Sequence, residues 1–482
     1  MNLLNCSLEE LAARIKKGEI LPEELQEELI QGCKKSQEEF NVFISFDEDF
    51  VKRELHTLFQ EKLQNGEKLN LAGASCAVAD NIATKDLATT CASRMLQSYR
   101  PPFDAEVVAR LKETGAIIAG KTNMEEFSIG SLGESSFFQS VKNPWNKNHT
   151  AGSGAAAAVL TGAARIAFAS DARGELGQSA AYCGVLALRP TFGRISKKGL
   201  ITYASSLETM GILARSAADL WTVFLAVAGQ DPEDVMTLLL KPQEKFYLKE
   251  SDAALPRLAV LSDWQKAPYL EDEVSELFSR QLQKLKALGA EIHYVDLPHF
   301  RFASIVAGII AAVEAFSNLS NYDGVRFGYR AEGRHLQEMY LKTRSEGLSG
   351  KAKRFLTFGA LLSSAQYYED YFLKAQKLRT LIVEELTGCL QEYGALLTPA
   401  TPFKAPKLDS FPGDALRREE LLDPSGYFTA AAGLAGLPSL TFPLHTDGLP
   451  CGLQLIGKKE EELTLLKAAL LLEKENQFAW GV

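Results

Sequence analysis

The chain has 482 residues, 46% hydrophobic and 23% charged, a balance that supplies a large packed core and excludes a disordered or fibrous protein. Its 52 basic and 61 acidic residues give a net charge of −9 with no dense Lys/Arg run to track a phosphate backbone, which argues against direct nucleic-acid binding. The seven cysteines, Cys6, Cys33, Cys76, Cys91, Cys183, Cys389 and Cys451, are scattered and never spaced C-x-x-C, so a disulfide framework or thiolate metal site is not expected and a reducing, cytoplasmic setting is.

At the start, Glu9 and Glu10 stand where a signal peptide needs basic residues before an apolar run. The most apolar later stretches are interrupted by Arg165 or Glu314, so no membrane span is expected. Residues 1–65 read as amphipathic helices, with Ser7 capping Leu8 to Ile15 and Glu10 in the capping-box position. From Leu71 short apolar runs alternate with helical patterns. Asp104 is placed to cap a helix over Ala105 to Thr114, Gly115 ends it, and Ala116-Ile117-Ile118-Ala119 follows as a strand.

A second such unit runs from Pro256-Arg257-Leu258-Ala259-Val260-Leu261 through a helix over Glu271 to Leu288, past Gly289, to the strand Glu291 to Val295. Residues 301–390 turn helical, and short apolar runs such as Leu437 to Pro443 then resume. The expectation is one α/β domain spanning 1–482: N-terminal helices over 1–65, a core formed by 66–300 and 391–482, and a helical insertion over 301–390.

Two small-residue turns stand out, Gly152-Ser153-Gly154 before an alanine-rich helix and Ser170-Asp171-Ala172-Arg173-Gly174-Glu175. Turns of this kind at helix starts present backbone N–H groups to an anion, although glycine-serine turns are common in loops of every function.

A wider set of segments carries a resemblance: Asp80-Asn81, Thr89-Thr90-Cys91-Ala92-Ser93, Gly120-Lys121-Thr122-Asn123-Met124-Glu125-Glu126-Phe127, Asn143-Pro144-Trp145 and Cys183-Gly184-Val185 leading to Arg189-Pro190-Thr191. Glu314 to Leu319, Tyr322 to Arg330 and Thr343 to Gly347 extend it, and Leu434-Ala435-Gly436-Leu437-Pro438 with Gly452 to Gly457 closes it. Over nearly the whole chain the sequence resembles the amidase-signature family, and within it the A-subunit branch of the glutamyl-tRNA(Gln)/aspartyl-tRNA(Asn) amidotransferases. The resemblance implies an α/β amidase-signature fold, a mixed twisted β-sheet flanked by helices, with a helical insertion. It also implies acyl transfer by a serine, relayed through a middle serine on a cis peptide to a neutral lysine, with glycine-rich N–H groups holding the oxyanion.

Under that resemblance the chemistry-bearing positions are altered. The base lysine falls on Ala79 and the nucleophilic serine on Glu175. The oxyanion loop becomes Ala172-Arg173-Gly174, and the serine-glycine loop is shortened to Gly152-Ser153-Gly154-Ala155, leaving Ser153 to stand for the middle serine. The aspartate associated with a substrate amino group falls on Gly426, with Asp423 a helical turn away, and a paired-arginine position reads Arg354-Phe355.

Losing a serine hydrolase's nucleophile or base costs on the order of 10⁶ in kcat, so the expected function is a pseudo-amidase: an A-subunit-like binding or scaffold protein, without metal or cofactor, partnered by a protein like the amidotransferase B-subunit. One alternative is an active amidase or amidotransferase using Glu175 as nucleophile or base; another is a small-metabolite sensor using the vacated pocket. Glu175 is expected to pair with a nearby cation such as Arg173 or to turn to water, because an unpaired buried carboxylate costs several kcal/mol. Cys76 is expected to be core filler, Lys121 to be partly exposed or to bond local carbonyls, with contact to an anion the alternative, His149 to sit in a surface turn, and Tyr322 to Arg326 to be either a partner surface or a helix junction held by a local Asp-Arg pair.

Overall fold

A computed structural model describes residues 6–65, 69–240, 248, 250–408, 424–446 and 448–476. Its N-terminal part is helical, with α1 (Leu8–Lys16), α2 (Pro22–Phe40) and α3 (Glu48–His56). Ser7 Oγ accepts from the Glu10 N–H, and the apolar stripe Leu8, Leu11, Ala12 and Ile15 turns inward.

The strands are β1 (Phe43–Ser45), β2 (Ser75–Ala79), β3 (Ile117–Thr122), β4 (Lys142–Asn143), β5 (Asn146–Thr150), β6 (Ile166–Asp171), β7 (Leu186–Arg189), β8 (Thr209–Ala214), β9 (Leu258–Leu261), β10 (Ile292–Val295), β11 (Ala395–Pro399), β12 (Ser439–Leu444) and β13 (Cys451–Gly457). Eleven of them form one sheet in the order β1-β3-β2-β6-β8-β7-β12-β13-β11-β9-β10, while β4 and β5 pair separately. Neighbours of β2 and of β9 run parallel, whereas the central strands β6, β8, β7, β12 and β13 alternate antiparallel, so the sheet is mixed. Central strands such as β2, β6 and β12 are buried throughout, as continuous apolar or small-residue runs require when helices cover both faces.

The covering helices are α4 (Glu106–Glu113), α5 (Gly154–Thr161), α6 (Glu175–Cys183), α7 (Ala217–Val227) and α8 (Asp272–Ala287). The chain then forms α9 (Ala303–Asn318), α10 (Leu336–Gly347), α11 (Gly350–Leu362) and α12 (Lys374–Glu392) before returning to β11, and α13 (Ala430–Ala435) and α14 (Glu462–Asn476) follow. The segment Phe300–Asn321, with a mean hydropathy of 1.7, has the length and composition of a membrane span, yet it packs against α11, α12 and α13 as a core helix.

Two local expectations are corrected. Ala105, not Asp104, is the N-cap of α4, and the Asp104 carboxylate instead accepts from the Lys85 N–H at 2.7 Å and pairs with Lys112 at 3.0 Å. Strand β3 also runs on past Ala119 through Lys121 to Thr122, so Lys121 lies within the sheet.

The start of α5 is pinned by a close backbone approach. A Cβ on Gly154 would stand 2.2 Å from the Val42 carbonyl oxygen and 2.9 Å from the Asn123 backbone, so only glycine lets the helix enter here. Gly154→Ala is expected to destabilise the protein by about 1–3 kcal/mol through overpacking, read as a lowered thermal midpoint; an unchanged midpoint would show that the backbone yields.

Candidate functional site

Three strands and two helix starts converge on one cavity. Ala79 ends β2, Thr122 ends β3, Ser170 lies near the end of β6, Ser153 caps α5 and Glu175 opens α6. All five line a cavity of about 30 Å³, room for a water molecule or two. The fold therefore brings together Ala79, Ser153 and Glu175, which lie far apart in sequence.

Glu175 dominates the electrostatics. Its Oε2 accepts the backbone N–H groups of Ala172 at 3.0 Å and Arg173 at 2.7 Å. Its Oε1 accepts the Tyr203 hydroxyl at 2.9 Å and lies 3.5 Å from Arg173 Nε. Gly174 precedes it at φ 93°, the left-handed turn that folds the loop back over the carboxylate, and a Cβ there would stand 2.2 Å from Thr429. The N-terminal position in α6 adds the favourable end of the helix dipole. Against these, burial and the neighbouring Asp171 push the Glu175 carboxyl up to about 7. The expected Glu175–Arg173 pair forms, with the loop's own N–H donors added to it.

The walls are filled by hydrogen-bonded side chains. The Arg173 guanidinium stacks over the Phe355 ring at 5.4 Å, and Tyr203 meets the same ring edge-on at 6.3 Å. Asp171 Oδ2 pairs with the buried Arg189 Nε at 2.8 Å, and its Oδ1 accepts the Leu176 N–H. Gln178 donates to Thr429 Oγ1 at 3.1 Å and accepts from Ser425. Gly426 is buried against this amide: a Cβ at Gly426 would stand 3.2 Å from Gln178 Nε2 and 3.3 Å from the Arg173 carbonyl. Asp423 lies outside the described residues. Arg354 is exposed on α11 and does not line the cavity, whereas its neighbour Phe355 is buried.

Other residues resolve into architecture. Ser153 is a trans residue whose Oγ accepts the Ala156 N–H at 3.3 Å as an ordinary helix cap, and the described residues contain no cis peptide. Lys121 bonds a local carbonyl, the second of its two expected roles, and is fully buried: its Nζ donates to the Ile82 carbonyl and to Thr89 Oγ1, 4.0 Å from Asp80. Burial lowers its pKa to about 8. Lys121 is no substitute for a lysine at position 79, since side chains alternate along β3 and it is Thr122 that faces the cavity.

Cys76 is buried in β2 and its thiol is pushed up by burial, as befits core filler. His149 lies on β5, where its Nδ1 meets the Ala405 carbonyl at 2.6 Å, so the expected surface turn is a short strand. At the Tyr322 junction the cation is Arg344, which donates to the Leu319 and Tyr322 carbonyls, in place of the Asp-Arg pair expected within Tyr322 to Arg326. Among the described residues no group of His, Cys, Asp and Glu is placed to hold a metal ion.

Sequence reasoning missed Tyr203 and Glu208. Glu208 is buried, and its Oε2 accepts the N–H groups of Tyr203 at 2.8 Å and Ala204 at 3.1 Å. Its carboxyl is raised to about 8, chiefly by burial. The readable signal was a carboxylate immediately before the apolar strand Thr209–Ala214, a place that demands internal partners.

Residues 24–466 match the amidase family. The chain belongs to the amidase-signature family. The A-subunit of the Moorella thermoacetica glutamyl-tRNA(Gln) amidotransferase is 41% identical over 419 residues, covering 86% of this chain and 85% of the relative. Its counterpart from Sulfurihydrogenibium sp. is 35% identical over 486 residues, covering 99% of each chain. The crystal structure of the corresponding Thermotoga maritima protein matches with a TM-score of 0.78 at 31% identity, covering 99% of this chain and 96% of that one. The large mixed sheet flanked by helices is thus the amidase-signature fold.

In this amidase-family chain the two buried carboxyls make stability pH-dependent. Glu175 and Glu208 hold their protons more tightly when folded, at about 7 and about 8, than at the ordinary 4.5. Between those values the unfolded chain loses protons first, so their contribution is complete below about 4.5 and is lost as pH rises through 7 to 8. The thermal midpoint is expected to fall between pH 5 and 8, and the double variant Glu175→Gln, Glu208→Gln to flatten that slope; an equal slope in the variant would refute the assignment.

Proposed function

We propose that this chain is an A-subunit-like pseudo-amidase: it has given up serine-type amide hydrolysis and serves as a non-catalytic binding or scaffold component in the cytoplasm. One observation carries the reading. At the nucleophile position stands the Glu175 carboxylate, and it occupies the N–H groups of Ala172 and Arg173, the loop that the family resemblance assigns to the oxyanion. The base position, Ala79, offers only a methyl group to the same cavity.

The lost substrate contacts point the same way. Gly426 has no side chain to receive an amino group, Arg354 faces solvent, and Phe355 with Arg173 fills the space near the loop. A protein partner is supported by the relatives, which are themselves subunits of an amidotransferase. The partner proposed is a protein like the amidotransferase B-subunit. The seven cysteines are all free, in keeping with a reducing compartment.

A catalytic role for Glu175 is less well supported, because a nucleophile or base needs a free oxygen facing the substrate. Here Oε2 is bonded to two N–H groups and Oε1 to Tyr203. The purified protein, alone and with a B-subunit-like partner, is expected to release no more ammonia from glutamine or asparagine than a Ser153→Ala, Glu175→Ala control. Turnover above that control, abolished by Glu175→Gln, would establish the catalytic reading instead.

A further inference from the structure

We propose that α11 is a latched lid over the cavity around Glu175, with Lys351 as the latch: when the latch is released, the start of α11 lifts and admits a small molecule to the space beside Ala79. With the lid down, the cavity of about 30 Å³ takes no more than a water molecule or two. The lid would serve a catalytic and a non-catalytic cavity alike.

One seam of α11 crosses the site. Lys351, Phe355 and Gly359 are spaced four residues apart and so share a face of the helix. Lys351 Nζ donates to Glu125 Oε1 at 2.9 Å and lies over Gly130, where a Cβ would stand 2.4 Å from it. Glu125 and Gly130 are both wall residues of the cavity. One turn on, Phe355 covers Arg173 and Tyr203, two of the groups that hold the Glu175 carboxylate. A further turn on, Gly359 brings α11 down on α9: a Cβ there would stand 2.0 Å from the Ala312 carbonyl oxygen and 2.8 Å from Phe316.

The two ends of this seam differ in kind. The Gly359 end is a close backbone contact that cannot shift without repacking, so it acts as the pivot. The other end is held by polar bonds that solvent reaches, since Lys351 is 17% exposed. Beside it the Ser349 N–H donates to Glu126 Oε2 at 2.8 Å. Glu125 stays satisfied without the lid, because it also accepts the N–H groups of Leu132 at 3.1 Å, Gly133 at 2.9 Å and Ser135 at 2.9 Å, and the Ser135 hydroxyl. Lys351 has a second carboxylate within reach, Glu134 at 3.3 Å. Exchanging the two lid bonds for water therefore frees the start of α11 and leaves the wall loop built.

Opening can be read with a thiol placed in the cavity. In the full-length protein carrying Ala79→Cys, alkylation by iodoacetamide is followed residue by residue with fragment mass spectrometry. Native Cys76, on the same strand, is the internal control: it is buried and does not line the cavity, so it reports unfolding, whereas position 79 reports the lid. Adding Lys351→Met is expected to speed labelling at position 79 about ten-fold or more while Cys76 stays as slow as before. Lys377→Met, an equal loss of charge at an exposed position on α12, should change neither rate. Ser349→Pro removes the N–H held by Glu126 at a φ of −64°, which proline adopts, and should act as Lys351→Met does, so the lid remains testable if one variant folds poorly. The proposal is overturned if position 79 is labelled no faster in these variants than in their parent, or if Cys76 accelerates in step with it. Neither result depends on whether the cavity turns over a substrate.

Discussion

The site is organised around one buried carboxylate. Burying Glu175 at the start of α6 is tolerable only because the chain surrounds it with donors: the Ala172 and Arg173 N–H groups, the Tyr203 hydroxyl and the Arg173 guanidinium. Each donor is itself held in place. Gly174 sets the turn that aims the two N–H groups, Phe355 flanks both Arg173 and Tyr203, and the Asp171–Arg189 pair anchors the strand end from which the loop departs. The loop is closed on itself by its own residue, so an incoming oxyanion would have to displace Glu175 to reach the donors.

Positions 79 and 175 are physically linked, because both side chains face the same small cavity. An ammonium group at position 79 would compete for the Glu175 carboxylate and draw it away from the loop. Alanine leaves that carboxylate to Arg173 and the backbone. Lys121 does not fill the role, because the pleat turns it to the opposite face, where Asp80, Thr89 and the Ile82 carbonyl hold it.

The sequence disclosed the alternation of strands and helices, the capping of α1 by Ser7 and the helical stretch after residue 300, because each depends on local periodicity or capping chemistry. It did not disclose the mixed sheet order, in which β8 inserts between β6 and β7, since such pairing depends on long-range packing. That Ala79, Ser153 and Glu175 would share a cavity was implied only by the family resemblance, whereas a cation beside Glu175 was legible in the local sequence. The carboxylate's bonds to Ala172 and Arg173 were not, because they depend on the turn at Gly174 and on Tyr203, 28 residues away along the chain. Asp104 misled for a related reason: a good capping residue was drawn off by the Lys85 N–H and Lys112.

The residues that make the family resemblance visible are mainly wall builders. Asp80 accepts the Thr90 and Ala92 N–H groups, Lys121 ties β3 to Thr89, Asn143 donates to the Thr150 and Tyr182 carbonyls, and Trp145 donates to the Cys183 carbonyl. Each satisfies a buried polar group, so replacing any one leaves its partner unpaired at a cost of about 1–3 kcal/mol. That cost falls on folding and applies whether or not the cavity turns over a substrate. Selection for a stable fold would therefore keep these segments whether or not a nucleophile and a base are also under selection. Persistence of the motifs speaks for the fold, while the question of activity rests on the few side chains that face the cavity.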